Sequence, residues 1–166
     1  MNSLTTNYMN EINPEELIRE SNAIEDEFSA EGIQDGLYAL GFAVAHAIQD
    51  SVDVSVVRKV HELAMHRVAP SIAGKLRQVD VRVGFHIAPP YKEVIFLLEK
   101  LCNSQLYSPD TAKHWHIEFE RIHPFEDGNG RTGRILYYAQ CIASGKEFGV
   151  IKAADRSDYY QWFRQP

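Results

Sequence analysis

A polar, glycine-rich run between two helical patterns restricts the fold of this chain more than any other feature. Residues 123–134 read HPFEDGNGRTGR and contain one histidine, two carboxylates, three glycines and two arginines. Apolar residues recur at steps of three and four before the run, over 108–122, and again after it, over 131–145. This spacing predicts two core helices joined by the run. A hydrophobic core needs no such polar cluster, so the run is where chemistry is expected.

The N-terminal region predicts another helix. Asn13 is a suitable N-cap, and Pro14 suits the first helical turn. A partial apolar face extends as far as Phe28, and the segment 10–30 is therefore assigned to this helix and its flanks.

The rest of the chain completes a mostly α-helical, all-α class of fold with one small β-hairpin. Apolar and polar residues alternate over 79–87, and Gly84 is placed to turn that stretch into the hairpin. At 166 residues the chain suits a single domain, 1–166, with a sizeable core. Helical patterns occur in four further segments: 36–49, 54–67, 91–103 and 156–164.

Composition excludes several classes of protein. A formal charge of −6 argues against a nucleic-acid partner. The longest apolar stretch, LYALGFAVAHAI, is too short to span a bilayer, and no signal peptide is visible. Cys102 and Cys141 lack metal-ligand spacing and suit a reducing compartment, with a single disulfide left open. We therefore expect a soluble, cytoplasmic protein without a membrane partner.

The glycine-rich run has the features of an anion site. Gly128 and Gly130 open onto a helix, so several backbone N–H groups and the positive end of the helix dipole converge there. Arg131 and Arg134 lie one turn apart, and both can face the same anion. The combination suits a di- or triphosphate better than a single phosphate.

Two further residues of the run add chemistry to that anion site. Asp127 can supply an oxygen ligand for the Mg²⁺ that accompanies a polyphosphate, with Glu126 expected to face the other way. His123 titrates near neutral pH and can take a proton from an attacking hydroxyl. The residues therefore indicate a Mg–nucleotide cradle with a general base beside it.

Other interpretations of the run account for less of it. Ordinary turn chemistry explains the glycines but leaves the histidine, the acid and the arginines unexplained. No Gly-Lys-Ser/Thr of a Walker-type loop occurs in the chain. A zinc site of His114, His116 and His123 is disfavoured because the first two diverge on a helix. His116 is expected to pack behind the loop and His114 to be solvated.

The run resembles the signature of Fic-domain proteins, H-x-F-x-D/E-G-N-G-R-x-x-R. That resemblance implies a Fic-type helical bundle with a β-hairpin flap, and transfer of AMP from ATP to a Ser, Thr or Tyr hydroxyl of a target protein. A Doc-like branch that phosphorylates its targets carries lysine at the position of Gly130. All eight specified positions match: His123, Phe125, Asp127, Gly128, Asn129, Gly130, Arg131 and Arg134.

The resemblance also implies roles for these residues. His123 would deprotonate the target, and Asp127 would hold Mg²⁺ against the phosphates. Asn129, with the loop N–H groups of Gly128 and Gly130, would cradle the α-phosphate. The outer phosphates would be bound by the two arginines, Arg131 and Arg134.

A segment near the N-terminus resembles the family's inhibitory motif, S/T-x-x-x-E-G/N. Ser21 and Glu25 lie one turn apart on the predicted helix. By resemblance, Glu25 would pair with Arg134 and keep the γ-phosphate from its productive place. Asp26 departs from the motif, and a solvated Glu25 is the plainer alternative.

The flap, about Asp80–Ile87, resembles a segment that pairs main chain to main chain with a protein substrate. A hairpin that only covers the core is the alternative. Another donor (UMP, phosphocholine or phosphate) or a non-catalytic binding module would keep the same fold. The sequence leaves room for self-modification and for a homo-oligomer, and it names no target.

Overall fold

The computed structural model describes residues 13–84, 86–104 and 109–164. In this part of the chain, the predicted all-α class with one small hairpin is confirmed. The helices are α1 (Pro14–Ile24), α2 (Ala30–Ile48), α3 (Val54–Met65), α4 (Val94–Cys102), α5 (Pro109–Ile122), α6 (Asn129–Ser144) and α7 (Arg156–Gln161). Short 3-10 turns, Tyr91–Glu93 and Ala153–Asp155, precede α4 and α7.

Helix α6 is the centre of the core. Every residue from Arg131 to Ile142 is buried, so the helix has no solvent face. It packs against α2, α3 and α5, and α1 lies over its N-terminal part. Gly145 ends it with a φ of 66°, the left-handed C-cap that the sequence predicts. A central helix of this kind gives the residues at its N-terminus a rigid base.

The boundaries of α1 and α2 differ from the sequence expectation. Asn13 caps α1 as predicted, but the helix ends at Ile24, and Phe28 is 70% exposed instead of completing an apolar face. Helix α2 begins at Ala30, earlier than expected, because Oγ of Ser29 accepts the N–H of Gly32 and caps it. The segment assigned to one N-terminal helix is therefore a short helix followed by a turn.

Two other predicted helices are also shorter than their sequence patterns. The pattern over 54–67 yields a helix that ends at Met65, and the pattern over 156–164 yields one that ends at Gln161. The predicted N-cap of α5, Ser108, lies outside the described residues, as do residues 10–12.

The hairpin is shorter than the alternating pattern suggests. Strand β1 (Arg82–Val83) pairs antiparallel with β2 (His86–Ile87), with Arg82 opposite Ile87. Gly84 turns the chain with a φ of 57°, a conformation that glycine adopts at little cost. Ile87 remains 69% exposed, so the hairpin does not serve to complete the core.

Both cysteines of the chain, Cys102 and Cys141, are free, so the disulfide that the sequence left open is absent. Among the described helices, none combines the length and the apolar character needed to cross a membrane.

Candidate active site

The signature run lies on the wall of a cavity of about 950 Å³. Residues of the α5–α6 junction form the floor, the β-hairpin forms one edge, and the C-terminal aromatic residues form another. The catalytic, nucleotide-binding, metal-binding and regulatory residues expected from the sequence line the cavity, except Ser21, which lies behind Arg134. The fold therefore brings the N-terminal glutamate and the signature loop to one place.

The start of α6 presents unused backbone donors to this cavity. Gly128 is the N-cap, with a φ of 74°, and provides no side-chain cap. Among the described residues, none accepts from the N–H groups of Asn129, Gly130 and Arg131. Such N–H groups, together with the helix dipole, bind anions.

The side chain of Asn129 supports the loop. Its amide oxygen accepts the N–H of Phe125 at 2.9 Å, and its amide nitrogen donates to the carbonyl of Phe125 at 2.9 Å. Both ends of the amide are thus used within the loop. In this arrangement Asn129 offers an anion its backbone N–H.

His61 of α3 holds the signature loop through a hydrogen bond and a ring contact. Its Nδ1 accepts the N–H of Gly74, so the proton is on Nε2, which donates to the carbonyl of Asp127 at 2.9 Å. The ring also stacks on Phe125, with centroids 3.7 Å apart. Burial lowers the pKa of His61 to about 4, so the ring is neutral at pH 7.

His123 follows the last residue of α5 with a φ of 50°. A left-handed conformation is uncommon for residues other than glycine, and such conformations cluster at functional sites. Burial lowers the pKa of His123 below its ordinary value, so the ring is neutral at pH 7. A neutral imidazole in the cavity wall is able to accept a proton.

Asp127 is exposed at the cavity, and one carboxylate oxygen accepts the N–H of Gly128 at 2.7 Å. The described residues contain no cluster of three or more metal-binding side chains. Mg²⁺ at phosphate sites is typically held by one or two carboxylates plus substrate oxygens, so a single aspartate fits this ion. Glu126 also lines the cavity, contrary to the expectation that it faces away.

Arg134 is buried and bonded to α1. Its Nε donates to Oγ of Ser21 at 2.9 Å, and its Nη2 donates to Oε1 of Glu25 at 2.7 Å. Glu25 is partly exposed, at 38% of its side chain, but it is not unpaired: its carboxylate bonds to the second arginine of the signature. Arg131 lies one turn earlier, almost fully buried, and its Nε has no partner within the described chain.

Glu25 lies directly over the N-terminus of α6. A methyl group placed on Gly130 would collide with the Glu25 carboxylate, so only glycine permits this approach. The carboxylate thus lies where an anion would meet the unused N–H groups. Asp26, the departure from the motif, has a φ of 55°, and aspartate tolerates this conformation better than most residues.

Arg77 connects the hairpin to the signature loop. This fully buried guanidinium donates to the carbonyl of Val79 at 2.8 Å and to that of Pro89 at 2.5 Å, which lie at the two ends of the hairpin segment. Its Nε donates to the carbonyl of His123 at 2.8 Å. The hairpin and the histidine therefore share one support.

Sequence reasoning missed four residues of this site: His61, Arg77, Glu120 and Tyr159. His116 was expected behind the loop and is there, fully buried, while His114 is exposed as expected. The missed residues act through contacts across the fold, which no local spacing reveals. The one available signal was chemistry, and only for two of them, since His61 and Glu120 lie in otherwise apolar helical patterns.

Fold and cavity together define a helical protein with an anion-binding loop, a neutral histidine beside it and an internal carboxylate over the anion site. The family model described as Fic/DOC family matches residues 51–141, more than half of the chain. The protein belongs to this family, as the signature run indicates.

Curated relatives carry the name "Protein adenylyltransferase Fic". The one from Nematostella vectensis is 32% identical over 137 residues, which cover 76% of this chain and 32% of that protein. The one from Drosophila melanogaster is 30% identical over 135 residues, 76% of this chain and 27% of that protein. The chain thus spans about a third of the length of these relatives.

Solved structures share the fold. A Fic domain containing signaling protein from Bacteroides thetaiotaomicron has a TM-score of 0.80 at 20% identity, covering 99% of this chain and 75% of that one. A Fic family protein from Desulfovibrio desulfuricans has a TM-score of 0.62 at 25% identity, covering 89% and 55%. The helical bundle is therefore the Fic fold.

Proposed function

We propose that this protein is a Mg²⁺- and ATP-dependent protein adenylyltransferase held at low activity by Glu25. The observation that carries the proposal is the convergence of the free N–H groups of α6, two signature arginines, Asp127 and His123 on one cavity. The names of the curated relatives favour AMP as the transferred group.

In this proposal the phosphates of ATP bind at the N-terminus of α6. The N–H groups of Asn129, Gly130 and Arg131 would receive the α-phosphate, with the arginines on the outer phosphates. Mg²⁺, held by Asp127, would neutralise charge on the departing pyrophosphate. Fixed donors and cations at a point of developing negative charge are the usual means of promoting phosphoryl-type transfer.

His123 would act as the general base. Its Nε2 would take the proton of the target hydroxyl as that oxygen attacks the α-phosphorus. The bond from the α-phosphorus to the bridging oxygen breaks, and pyrophosphate leaves with the electron pair. The target then carries AMP, and the imidazolium returns its proton to solvent or product.

The rest of the cavity supports a nucleotide donor and a protein target. Tyr160 and Phe163 give one wall an aromatic surface, to which the flat face of a base can bind. At the opposite edge, the exposed two-residue strands of the hairpin offer main-chain groups to an extended target segment. Gly130, where the Doc-like branch has lysine, favours AMP over phosphate transfer.

A direct test uses the Glu25→Gly variant with donors labelled at different positions. ATP labelled on the α-phosphorus should label proteins in a cell lysate, and the purified variant itself if it self-modifies. ATP labelled only on the γ-phosphorus should label none. Labelling from UTP in place of ATP would favour the alternative donor, and no labelling from any donor would favour a binding module.

The metal assignment is tested by Asp127→Ala. We expect transfer to stop and Mg²⁺-dependent ATP binding to weaken, because Asp127 is the carboxylate next to the phosphate-binding N–H groups. Isothermal titration of ATP with and without Mg²⁺ measures this.

Glu126→Ala is the matched control, since Glu126 is its neighbour on the same cavity wall. Normal Mg²⁺ dependence in Asp127→Ala, together with its loss in Glu126→Ala, would reverse the assignment.

A further inference from the structure

Two side chains of α5, and the histidine that follows its last residue, carry buried polar atoms without partners. His116 and Glu120 are four residues apart and share a face of the helix, and His123 comes three residues after Glu120. Nδ1 of His116, Oε1 of Glu120 and Nδ1 of His123 have no well-formed hydrogen bond among the residues described, and beside the His123 ring lies the backbone carbonyl of Glu120, which raises the pKa of that ring. A buried polar atom without a partner costs free energy, so three in one row call for an explanation.

Hydrogen bonds at the Tyr159 end of this row determine which ring nitrogen of His116 carries the proton. Arg134 donates to the hydroxyl oxygen of Tyr159 at 3.2 Å, so that hydroxyl directs its own proton to Nε2 of His116 at 2.8 Å. Burial lowers the pKa of His116 to about 3, and the ring is neutral. Its one ring proton is therefore on Nδ1, the atom that turns towards Glu120.

Gly133 of α6 makes room for the row. A methyl group on Gly133 would lie 2.5 Å from Nδ1 of His116 and 3.0 Å from Oε1 of Glu120. Nδ1 of His116 and Oε1 of Glu120 therefore both lie next to Gly133, where α6 has no side chain. At the other end of the carboxyl group, Oε2 of Glu120 lies 3.8 Å from Nδ1 of His123.

We propose that Glu120 is a positioning residue for His123. Its carboxylate accepts the Nδ1 proton of His123, which leaves Nε2 without a proton and turned to the target hydroxyl. Hydrogen bonds of catalytic groups are often long before substrates bind, so a distance of 3.8 Å suits a contact that closes in the complex. The inference rests on the proposed role of His123 as the base.

His116 and Tyr159 hold Glu120 in turn. Because Nδ1 of His116 and Oε1 of Glu120 both lie beside Gly133, Nδ1–H can turn to Oε1 while Oε2 faces His123. The row therefore runs from the phosphate-binding arginine, through Tyr159, His116 and Glu120, to the base. Carboxylate–histidine contacts of this kind fix the tautomer and raise the basicity of the ring.

The charge on Glu120 should appear in the pH dependence of transfer. Burial raises the pKa of this carboxyl group, the positive charge of Arg134 lowers it and the negative charge of Glu25 raises it, which together place the pKa at about 7. The titratable groups that face it are His116 on α5, His123 just after α5, Arg134 on α6, Tyr159 on α7 and Glu25 after α1.

Ionised Glu120 stabilises the imidazolium that forms as His123 accepts a proton, and protonated Glu120 does so less. Transfer should therefore rise as the pH increases through about 7, although burial lowers the pKa of His123 itself. Without the carboxylate, the rise should move to the lower pH at which His123 alone titrates.

The kinetic test uses Glu120→Gln and Glu120→Leu in the Glu25→Gly protein. Both should lower kcat by about 10- to 100-fold, the usual effect of losing a group that orients a functional histidine. KM for ATP should stay unchanged. Because the Glu25→Gly protein lacks a charge that helps raise the pKa of Glu120, its transfer should rise at a lower pH than in the parent, and this rise should move lower still in both Glu120 variants. Glu118→Gln, two positions away on α5 and paired with Arg121, is the control and should change neither.

A second readout does not depend on activity. Nitrogen-15 NMR of histidine-labelled protein, assigned with His123→Ala, reports which ring nitrogen of His123 carries the proton. We expect the Nδ1–H form in the parent and a shift towards Nε2–H in Glu120→Leu. Thermal melting shows whether each variant is folded, and Glu120→Gln should melt no lower than the parent above pH 7, where it avoids a buried charge.

An Nε2–H tautomer in the parent, or an unchanged kcat and pH profile in both folded Glu120 variants, would overturn the inference. If His123→Ala retained transfer, the base assignment would fail. The tautomer measurement would still decide whether Glu120 holds the ring.

Discussion

Replacing His123 is expected to abolish AMP transfer while leaving ATP binding nearly intact. The nucleotide would be held by the N–H groups of α6, by Asp127 and by the arginines, and none of these contacts passes through the imidazole. A general base contributes on the order of 10²–10⁴-fold to a rate. The measurement is transfer of labelled AMP in the Glu25→Gly protein, beside ATP titration.

The backbone at His123 requires a second variant. With a φ of 50°, an alanine there is strained, so its effect could include a displaced loop. Asparagine tolerates the left-handed region, and His123→Asn should lose transfer while melting close to the parent. His114→Ala, on the exposed side of the same helix, is the matched control. Near-normal transfer in His123→Asn would remove His123 as the base.

The signature loop was predictable because its parts are contiguous. The glycines, the acid and the arginines all lie within twelve residues. The helical pattern that follows places both arginines on the same side of the helix. Glu25 was predictable through its motif, although no spacing could show that its carboxylate lies over Gly130, 105 residues later in number. Local chemistry is visible in a sequence, whereas the meeting of distant segments is not.

The residues that hold the signature loop in place, Arg77 and His61, could not be predicted from the sequence. Arg77 bonds to carbonyls on both sides of the hairpin and to His123, and His61 bonds to the carbonyl of Asp127. Those acceptors are backbone atoms, so the sequence carries no complementary residue to look for. The early start of α2 is a different case: Ser29 is an ordinary N-cap that the apolar pattern outweighed.

The substitution of Glu25 is expected to raise transfer, most visibly as self-modification. The Glu25 carboxylate pairs with Arg134 and covers the N-terminus of α6, so its removal would free the arginine for the γ-phosphate and the N–H groups for the α-phosphate. A coupling of the usual size between an inhibitory contact and a ligand site gives about 5- to 150-fold. Transfer from α-labelled ATP, compared across Glu25→Gly, Glu25→Ala and Glu25→Gln, measures the effect.

The position of Glu25 at the end of α1 determines how strongly each of these variants should activate transfer. It follows the last helical residue of α1 as the C-cap, so glycine there costs less than glycine inside a helix. Gly and Ala should therefore activate equally, whereas Gln keeps an acceptor for Arg134 and should activate less. Glu15→Ala, which breaks an exposed pair with Arg19 on the same helix, should not activate.

Arg134 should be essential in both backgrounds. Its guanidinium bonds to Ser21, Glu25 and Tyr159 in this structure, and in the proposed reaction it would bind a γ-phosphate instead. Arg134→Ala loses the inhibitory pair and the phosphate contact together, so Glu25→Gly adds nothing to it. Because the two changes share one partner, their effects on transfer cannot add, and the double variant should match Arg134→Ala alone. Additive effects, or three Glu25 variants no faster than the parent, would make Glu25 a packing residue that merely lies beside the site.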